Sequence, residues 1–259
     1  MKIRQLSQYA LGLLCALYFL TACNKEADSI TPKTLLKLDK VTISDGTFQN
    51  YTYDAMGRRS RIDYKDYFTT YNYNGNTITE TQTYFDPTQT GTTYTYSLNA
   101  QGLASKRTYK VGTTTYTRDV EFDGNGRAIK LIDKSTTSSG VVSTVVEFSY
   151  AYDSDGDLIS SESRYPSTPS NNTTTLYTYD KNHYHTTGVE FSGAEWIGKS
   201  SLHSWSKAEI TRSNNVKSTV DFPRTYDAKG YMLSSIHSYS INTATGVVTI
   251  LSNANYTYK

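Results

Sequence analysis

Apolar and polar residues alternate along most of this chain, and each alternating run ends at a turn. Between positions 146 and 152 the even positions are Val, Phe, Tyr and Tyr, whereas the odd positions are Glu, Ser and Ala. Successive side chains of a β-strand point to opposite faces, so a period of two predicts strands with one apolar face. No segment has a convincing helical period.

A turn signal recurs after an aromatic, any residue and a second aromatic, as in Tyr51, Thr52 and Tyr53. Most copies are Asp-x-x-Gly, in which Asp caps backbone N–H groups and Gly adopts the left-handed conformation of a hairpin with a bulge. The copies begin at positions 54, 74, 99, 123, 153, 180 and 227, and the long last gap indicates a degenerate copy near residues 190–215. The turn glycines expected at positive φ are Gly57, Gly75, Gly102, Gly126, Gly156 and Gly230.

Chained hairpins of this kind predict an all-β fold, an antiparallel up-and-down β-meander of about sixteen strands. The apolar face needs cover, so we expect residues 35–259 to form one domain, curled into a flattened or incompletely closed barrel. Edge strands near residues 35–43 and 256–258 should pair or stay short. The aromatic residues expected on the covered face are Tyr53, Tyr73, Phe122, Phe148, Tyr152, Phe222 and Tyr226.

Composition supports the β assignment and narrows the function. Aromatics make up 13% of the 259 residues, with 24 Tyr, a content that favours strands and argues against disorder. The chain has 26 Lys and Arg against 24 Asp and Glu and no long basic block, so nucleic-acid binding is not expected.

The N-terminus predicts export and lipid attachment. Lys2 and Arg4 precede an apolar run that is too short to span a membrane, so residues 1–22 read as a signal peptide. Leu20, Thr21, Ala22 and Cys23 resemble the lipobox of bacterial lipoproteins, which implies an acylated Cys23. Cys15 leaves with the signal peptide, so Cys23 has no disulfide partner. Residues 23–34 read as a lipidated tether, and an ordinary signal peptide is the alternative.

Two family resemblances accompany these motifs. The run from Tyr51 to Arg58, with Tyr-x-Tyr-Asp followed by Gly, resembles the YD repeat of Rhs and teneurin proteins, whose strand–turn–strand units build large shells. Together with the lipobox, the repeat is similar to a Bacteroidetes-type lipoprotein family of unknown function with a porin-like β-fold. That resemblance implies an outer-membrane location, exposed at the surface or facing the periplasm, and it brings no catalytic residues.

Two groups of residues have metal-ligand character. Asp153, Asp155 and Asp157 share one turn, but their Gly falls at position four rather than six of an EF-hand-like loop, so exposed acids on a hairpin turn are the expected arrangement. His183 and His185 are spaced to share one strand face, but no third ligand is indicated. The sequence therefore predicts no metal and no cofactor.

The tryptophans mark the candidate ligand site. Trp196 and Trp205 fall in the degenerate stretch near His203, and aromatic faces beside polar groups suit a glycan or a protein ligand. Packing of both indoles into the core is the favoured alternative. No enzyme signature is present. The sequence thus predicts a non-enzymatic binding or scaffold module, with a transmembrane β-barrel and a glycan-active hydrolase as alternatives.

Overall fold

The strands of the protein form one antiparallel sheet in the computed structural model, which describes residues 36–185, 194–243 and 246–259. The first nine strands are β1 Leu38–Ile43, β2 Phe48–Tyr53, β3 Arg59–Asp63, β4 Tyr67–Asn74, β5 Thr77–Tyr84, β6 Thr93–Leu98, β7 Ala104–Val111, β8 Thr114–Phe122 and β9 Ala128–Thr136. The remainder are β10 Val142–Tyr152, β11 Leu158–Arg164, β12 Thr173–Tyr184, β13 His203–Arg212, β14 Lys217–Asp221, β15 Arg224–Tyr226, β16 Met232–Thr243 and β17 Gly246–Tyr258.

The strand order confirms the predicted all-β meander. From β1 to β14 each strand is hydrogen-bonded to the next strand along the chain. Both β14 and β15 pair with β16. The sheet therefore has 17 strands, against the number of about sixteen that the repeat predicts. The described helical content is two single turns of 3₁₀ helix, Pro169–Asn171 and Glu195–Ile197. Among the described residues, no helix has the length and apolarity needed to cross a membrane.

The two terminal strands pair with each other, as expected for strands that would otherwise be free edges. β1 lies between β2 and β17, and its register with β17 places Val41 opposite Tyr256.

The sheet is nevertheless not closed into a barrel. Among the described residues, β15 has a partner strand only on its β16 side, and the ladder between β13 and β14 covers only the second half of β13.

The turns follow the chemistry of the repeat. Gly57, Gly102, Gly126, Gly156 and Gly230 all have φ between 75° and 94°, and Gly75 in the two-residue turn has φ of 55°. Asp54 shows how such a turn is held, because its Oδ1 accepts hydrogen bonds from the backbone N–H groups of Met56 and Arg58, both at 2.9 Å. Positive φ at these glycines confirms the predicted turn type.

Aromatic and aliphatic side chains cover the inner face of the sheet. One cluster is centred on Leu38, Val41, Tyr51 and Ile62, and a second on Ile78 and Ala104. The seven aromatics expected on the covered face are all half-buried, and none is exposed. The inner face is therefore the apolar side of the strands, as the alternation predicts.

An irregular segment, residues 194–202, covers part of this inner face, which the sequence did not predict. We call it the inner segment. Trp196 is 8% exposed and packs with Ile78 and Ala104, its ring centroid 4.6 Å from that of Tyr96. Lys199 N–H donates to the Gly126 carbonyl at 2.9 Å. The apolar face thus packs in part against the degenerate stretch instead of only on itself.

Candidate binding cleft

A proline interrupts the sheet between β13 and β15. Pro223 follows β14 and has no N–H to donate to a ladder. The Phe222 N–H still reaches the Ser206 carbonyl at 3.0 Å, and the Pro223 carbonyl accepts from Ile236 on the other side at 2.8 Å. The chain therefore stays attached to β16 while it separates from the first half of β13.

A cleft of about 350 Å³ opens at this interruption. This volume falls within the range of small-molecule sites. We call it the Phe222 cleft, and its lining residues are Asp180, Ser206, Asp221, Phe222, Pro223, Arg224 and Tyr226. Strand alternation places Asp221 on the outer face of the sheet and Arg224 and Tyr226 on the inner face, whereas Asp180 bonds to His183, whose ring stacks on Tyr226. The cleft thus joins an acidic outer rim to an aromatic interior.

The aromatic walls of the cleft are fixed by stacking. The Phe222 ring meets the edge of Trp205, with centroids 5.9 Å apart, so Trp205 stands behind it. Tyr226 is stacked on His183 with centroids 3.9 Å apart and planes 7° from parallel. Because each ring has a supporting neighbour, the cleft presents ring faces in fixed positions to any apolar surface that enters.

The polar groups of the cleft comprise two carboxylates and one guanidinium. Burial opposes ionisation of Asp180, but hydrogen bonds from His183 Nδ1 at 2.6 Å and Asn182 N–H at 3.0 Å outweigh it and hold its pKa below the ordinary value. Arg224 donates from Nη1 to the Phe222 carbonyl at 3.2 Å, whereas its Nε is buried with no hydrogen-bond partner. Acceptors therefore lie at the rim and a free donor lies at the inner end.

His185 lies beside this site and is half-buried. Burial lowers the pKa of His185 to about 4, and the nearby positive charge of Arg224 acts in the same direction. Its Nδ1 is buried without a partner, and its ring centroid lies 6.2 Å from that of Trp205. His183 instead bonds to Asp180, so the two rings have different environments and do not form a metal-ligand pair.

The acidic turn after β10 holds a lysine among its carboxylates. Ligand oxygens of Asp153, Asp155 and Asp157 lie within 4.8 Å of one another. Lys181 Nζ contacts all three, at 3.0, 2.9 and 2.5 Å respectively. The ammonium group occupies the position of a bound cation and already supplies positive charge to the three carboxylates. The donor set therefore does not fit a calcium ion.

Asp157 differs from the exposed acid that the sequence predicts at this turn. Its side chain is completely buried, and it accepts from the His203 backbone N–H at 2.8 Å and from His203 Nδ1 at 2.7 Å. Burial opposes its ionisation, but the bonds from Lys181 and His203 prevail and lower its pKa. Asp155 is exposed as expected. Asp157 therefore ties the β10–β11 turn to the start of β13.

The tryptophan region separates into three environments. Trp196 is part of the inner segment and is buried in the core. Trp205 supports the Phe222 ring, and His203 is buried against Asp157. The sequence therefore located the irregular region, but it did not indicate Phe222 or Arg224 as residues of a ligand site. The signal that could have found them is Pro223 next to a strand pattern, since proline in a sheet marks an edge or a bulge.

Comparisons with known proteins establish the fold and no more. The chain resembles a porin-like protein from Bacteroides uniformis ATCC 8492 with a TM-score of 0.66 and 15% identity, covering 89% of this chain and 99% of that one. A porin-like protein from Bacteroides vulgatus ATCC 8482 gives a TM-score of 0.61 and 16% identity over 86% and 99% of the two chains. No protein-family model matches, and no curated protein matches.

Proposed function

We propose that this protein is a non-enzymatic, lipid-anchored module of the bacterial outer membrane that binds a neutral glycan in the Phe222 cleft. The observation that carries the proposal is the cleft itself, in which fixed aromatic faces stand between carboxylates and an unpartnered guanidinium nitrogen. The anchor belongs to the proposal through the lipobox residue Cys23, which lies outside the described residues.

The arrangement of polar groups favours a neutral polyhydroxyl ligand. Sugar hydroxyls donate to carboxylates and accept from guanidinium groups, while the C–H face of a sugar ring packs on aromatic rings. Among the described residues, the Asp221 carboxylate has no hydrogen bond and no ion pair within 4 Å, although Lys207 lies directly across from it. Lys207 is instead paired with Glu209 at 2.6 Å. Two carboxylates at the rim disfavour anionic ligands.

The charges on the outer face support a sheet that faces water over a transmembrane β-barrel. Ion pairs on this face join Arg61 to Asp63 at 2.6 Å and Lys134 to Asp119 at 2.8 Å. A lysine or arginine that faces lipid costs about 2–4 kcal/mol at the membrane midplane. Their positions in the middle of β3, β8 and β9 favour attachment by a lipid over insertion of the strands.

A glycan hydrolase is a second candidate because Asp180 and Asp221 line the same cleft. Hydrolysis of this kind requires one carboxylic acid with a raised pKa that remains protonated until it donates to the leaving group. The pKa of Asp180 is lowered, which suits an acceptor and not a general acid. Binding without turnover is therefore the preferred function.

The cleft can be tested with a glycan array followed by calorimetry on the positive ligands. Phe222→Ala should weaken binding about five- to 150-fold, since a stacked ring and its buried area contribute about 1–3 kcal/mol. The matched control is Phe68→Ala, which removes a ring from the outer face, where Phe68 packs against Phe85. Equal binding by wild type and Phe222→Ala would place the ligand elsewhere, and product release by wild type but not Asp221→Asn would indicate a hydrolase.

The anchor requires a separate experiment. Cells that express the wild-type chain should incorporate radiolabelled palmitate and retain the protein in the outer-membrane fraction. Cys23→Ser should abolish both, because the acylated thiol is lost. Cys15→Ser is the matched control and should leave labelling unchanged. Unchanged labelling in Cys23→Ser would contradict the anchor while leaving the cleft proposal intact.

A further inference from the structure

An arginine without a carboxylate partner lies on the inner face of the sheet, away from the Phe222 cleft. Arg107 pairs across strands with Tyr96, a residue of the inner cluster. Its guanidinium carbon lies 5.4 Å from the Tyr94 ring centroid and 5.6 Å from that of Tyr109. Its Nε is buried with no hydrogen-bond partner, and no described carboxylate lies within ion-pair distance of it. Such a buried donor is destabilising unless something accepts from it.

The carboxylates nearest to Arg107 are bonded to other residues. Arg118 lies directly opposite Arg107 on the adjacent strand. Arg118 is already satisfied, because its Nε and Nη2 form a two-pronged ion pair with Asp133, both at 2.7 Å. Glu80, two strands from Arg107, accepts from the Tyr96 hydroxyl at 2.6 Å. Arg107 therefore lies beside two carboxylates that are bonded to other partners, and its half-buried guanidinium keeps one donor that neither of them accepts.

A pocket of about 130 Å³ lies beside this guanidinium. Its lining includes Arg107, Tyr109, Tyr116 and Asp133, and the two tyrosine rings are stacked 5.1 Å apart at 15°. Lys134 also lines the pocket, but its ammonium is held by Asp119 at 2.8 Å. A charged group thus adjoins a flat aromatic surface, and the pocket can hold a carboxylate while the rest of the ligand extends from it over the tyrosine rings.

We propose that this pocket is a second ligand site, in which Arg107 binds a monoanionic carboxylate whose attached body packs on Tyr109 and Tyr116. The guanidinium fork matches the two oxygens of a carboxylate, which would satisfy the unpartnered Nε. A monoanion is favoured because it adds the least negative charge near Asp133 and Glu80. A phosphate dianion would add a charge facing Asp133 that no described cation in the pocket neutralises. The site is independent of the glycan proposal, because it shares no residue with the Phe222 cleft.

Thermal unfolding and calorimetry of the full chain in detergent micelles test this site with glucuronate, acetate, glucose and phosphate as probes. Glucuronate and acetate should bind saturably and raise the unfolding midpoint, with glucuronate tighter because it adds ring contacts. Arg107→Met should weaken glucuronate binding at least tenfold. Arg107→Lys keeps the charge but loses the fork, so its affinity should fall between those of wild type and Arg107→Met. The matched control, Arg61→Met, removes an outer-face arginine that stacks on Phe68 and should leave binding unchanged.

Stability without ligand separates a ligand site from a purely structural arginine. If Arg107 awaits an anion, Arg107→Met should be as stable as wild type without carboxylate and less stable than wild type with it. If Arg107 only supports the tyrosines, the methionine variant should be less stable under both conditions and no carboxylate should bind, which would overturn the proposal. Equal binding of glucose and glucuronate, or stronger binding of phosphate, would also overturn it. Should Arg107→Met fail to fold, Arg107→Lys decides the question.

Discussion

The sheet from β2 to β9 repeats one hairpin with little variation, whereas the region from β10 to β16 departs from it at three places. In the regular region, Asp54 and Asp123 begin turns whose fifth residue is an arginine that folds back on the same aspartate, with Nη2–Oδ2 distances of 2.7 Å. In the irregular region, Asp157 occupies that fifth position, the inner segment replaces a tight turn between β12 and β13, and Pro223 interrupts the ladder.

The two regions differ in where the charges of their turns are neutralised. The regular turns are self-contained, because their charges are neutralised within five residues. At Asp157 the neutralising ammonium comes from Lys181 on β12 and a further hydrogen bond comes from His203 on β13, so the irregular turn depends on distant parts of the chain. The Phe222 cleft lies next to these same strands. At this cleft, charges that are not neutralised within one turn accompany polar groups that are available to a ligand, and the stability of the two kinds of turn can be compared by substitution.

The largest effect is expected at Gly198 in the inner segment. Gly198 has φ of 119°, and a Cβ there would lie 2.9 Å from the Phe122 ring and 3.0 Å from the Gly126 carbonyl oxygen. Gly198→Ala should therefore lower the free energy of unfolding by about 3 kcal/mol, combining left-handed strain with overpacking. Urea unfolding followed by tryptophan fluorescence measures it.

Gly102 is the matched control for this substitution. It has φ of 76° in a regular turn, and a Cβ at this position would have no neighbour within 4 Å. Gly102→Ala should cost only the backbone strain of about 1 kcal/mol. Equal losses at the two positions would mean that the inner segment does not pack against the β8–β9 turn as described.

The next largest effect is expected at Asp157. Asp157→Asn removes the buried charge that faces Lys181 and His203, and it should lower the free energy of unfolding by about 2–3 kcal/mol. The reason is that hydrogen bonds to a charged group are lost while their donors stay shielded from water. The pKa of Asp157 is lowered, so its contribution to stability is present above the unfolded value of about 3.8 and is lost as pH falls through the lower folded value. Urea unfolding at pH 7 and at pH 3 measures both statements.

Asp155 provides the control within the same turn. It also contacts Lys181, at 2.9 Å, but its side chain is about half exposed. Asp155→Asn should change stability by about 0.5 kcal/mol or less, as for a surface ion pair. A loss at Asp155 as large as that at Asp157 would contradict the distinction between a buried tie and an exposed acid.

The regular region was predictable from sequence because its determinants are local. Alternation indicates the inner face, and the Asp-x-x-Gly pattern predicts turns with positive φ, as at Gly57 and Gly126. The irregular region depends on contacts between distant positions. The bonds from Asp157 to Lys181 and His203 span 24 and 46 residues. A pattern within one repeat cannot show which residue will neutralise such a carboxylate, so the pattern predicts only one more surface acid at Asp157.

The ligand cleft was only partly predictable for a related reason. Trp196 and Trp205 stood out in the degenerate stretch, yet one indole fills the core and the other supports a phenylalanine in the connection between β14 and β15. Phe222 and Arg224 acquire their setting from the ladder break at Pro223, which depends on how β14 and β15 share β16. The sequence indicated where the repeat becomes irregular. The strand register was needed to show that Phe222 and Arg224 line a cleft there.

A further effect, seen as a pH slope, is expected at His185. Burial lowers its pKa from 6.5 to about 4, so its neutral form is favoured in the folded state. A lowered folded pKa means that this stability is fully present above pH 6.5 and is lost progressively as pH falls toward 4. His185→Phe should flatten the dependence of unfolding free energy on pH across that window. The decline of the unfolding free energy below pH 4, which comes from Asp157 and other carboxylates, should persist in the variant. An unchanged slope between pH 6.5 and 4 would show that His185 is solvated.

The smallest effect is expected for the arginines of two regular turns. Arg127→Ala removes an ion pair with Asp123 and a guanidinium that lies 4.9 Å from the Tyr152 ring centroid, which together should cost about 1 kcal/mol. Arg58→Ala removes the equivalent groups at Asp54 and Tyr73. The Arg58 side chain is 39% exposed against 17% for Arg127, so its loss should cost about 0.5 kcal/mol.

In both variants the turn itself should persist, because Asp Oδ1 accepts from backbone N–H groups that alanine retains. Urea unfolding at low and high salt measures the difference, which should shrink as salt screens the ion pairs. A loss of turn geometry in either variant, seen as altered amide exchange at Gly57 or Gly126, would show that even the regular turns depend on their charged side chains.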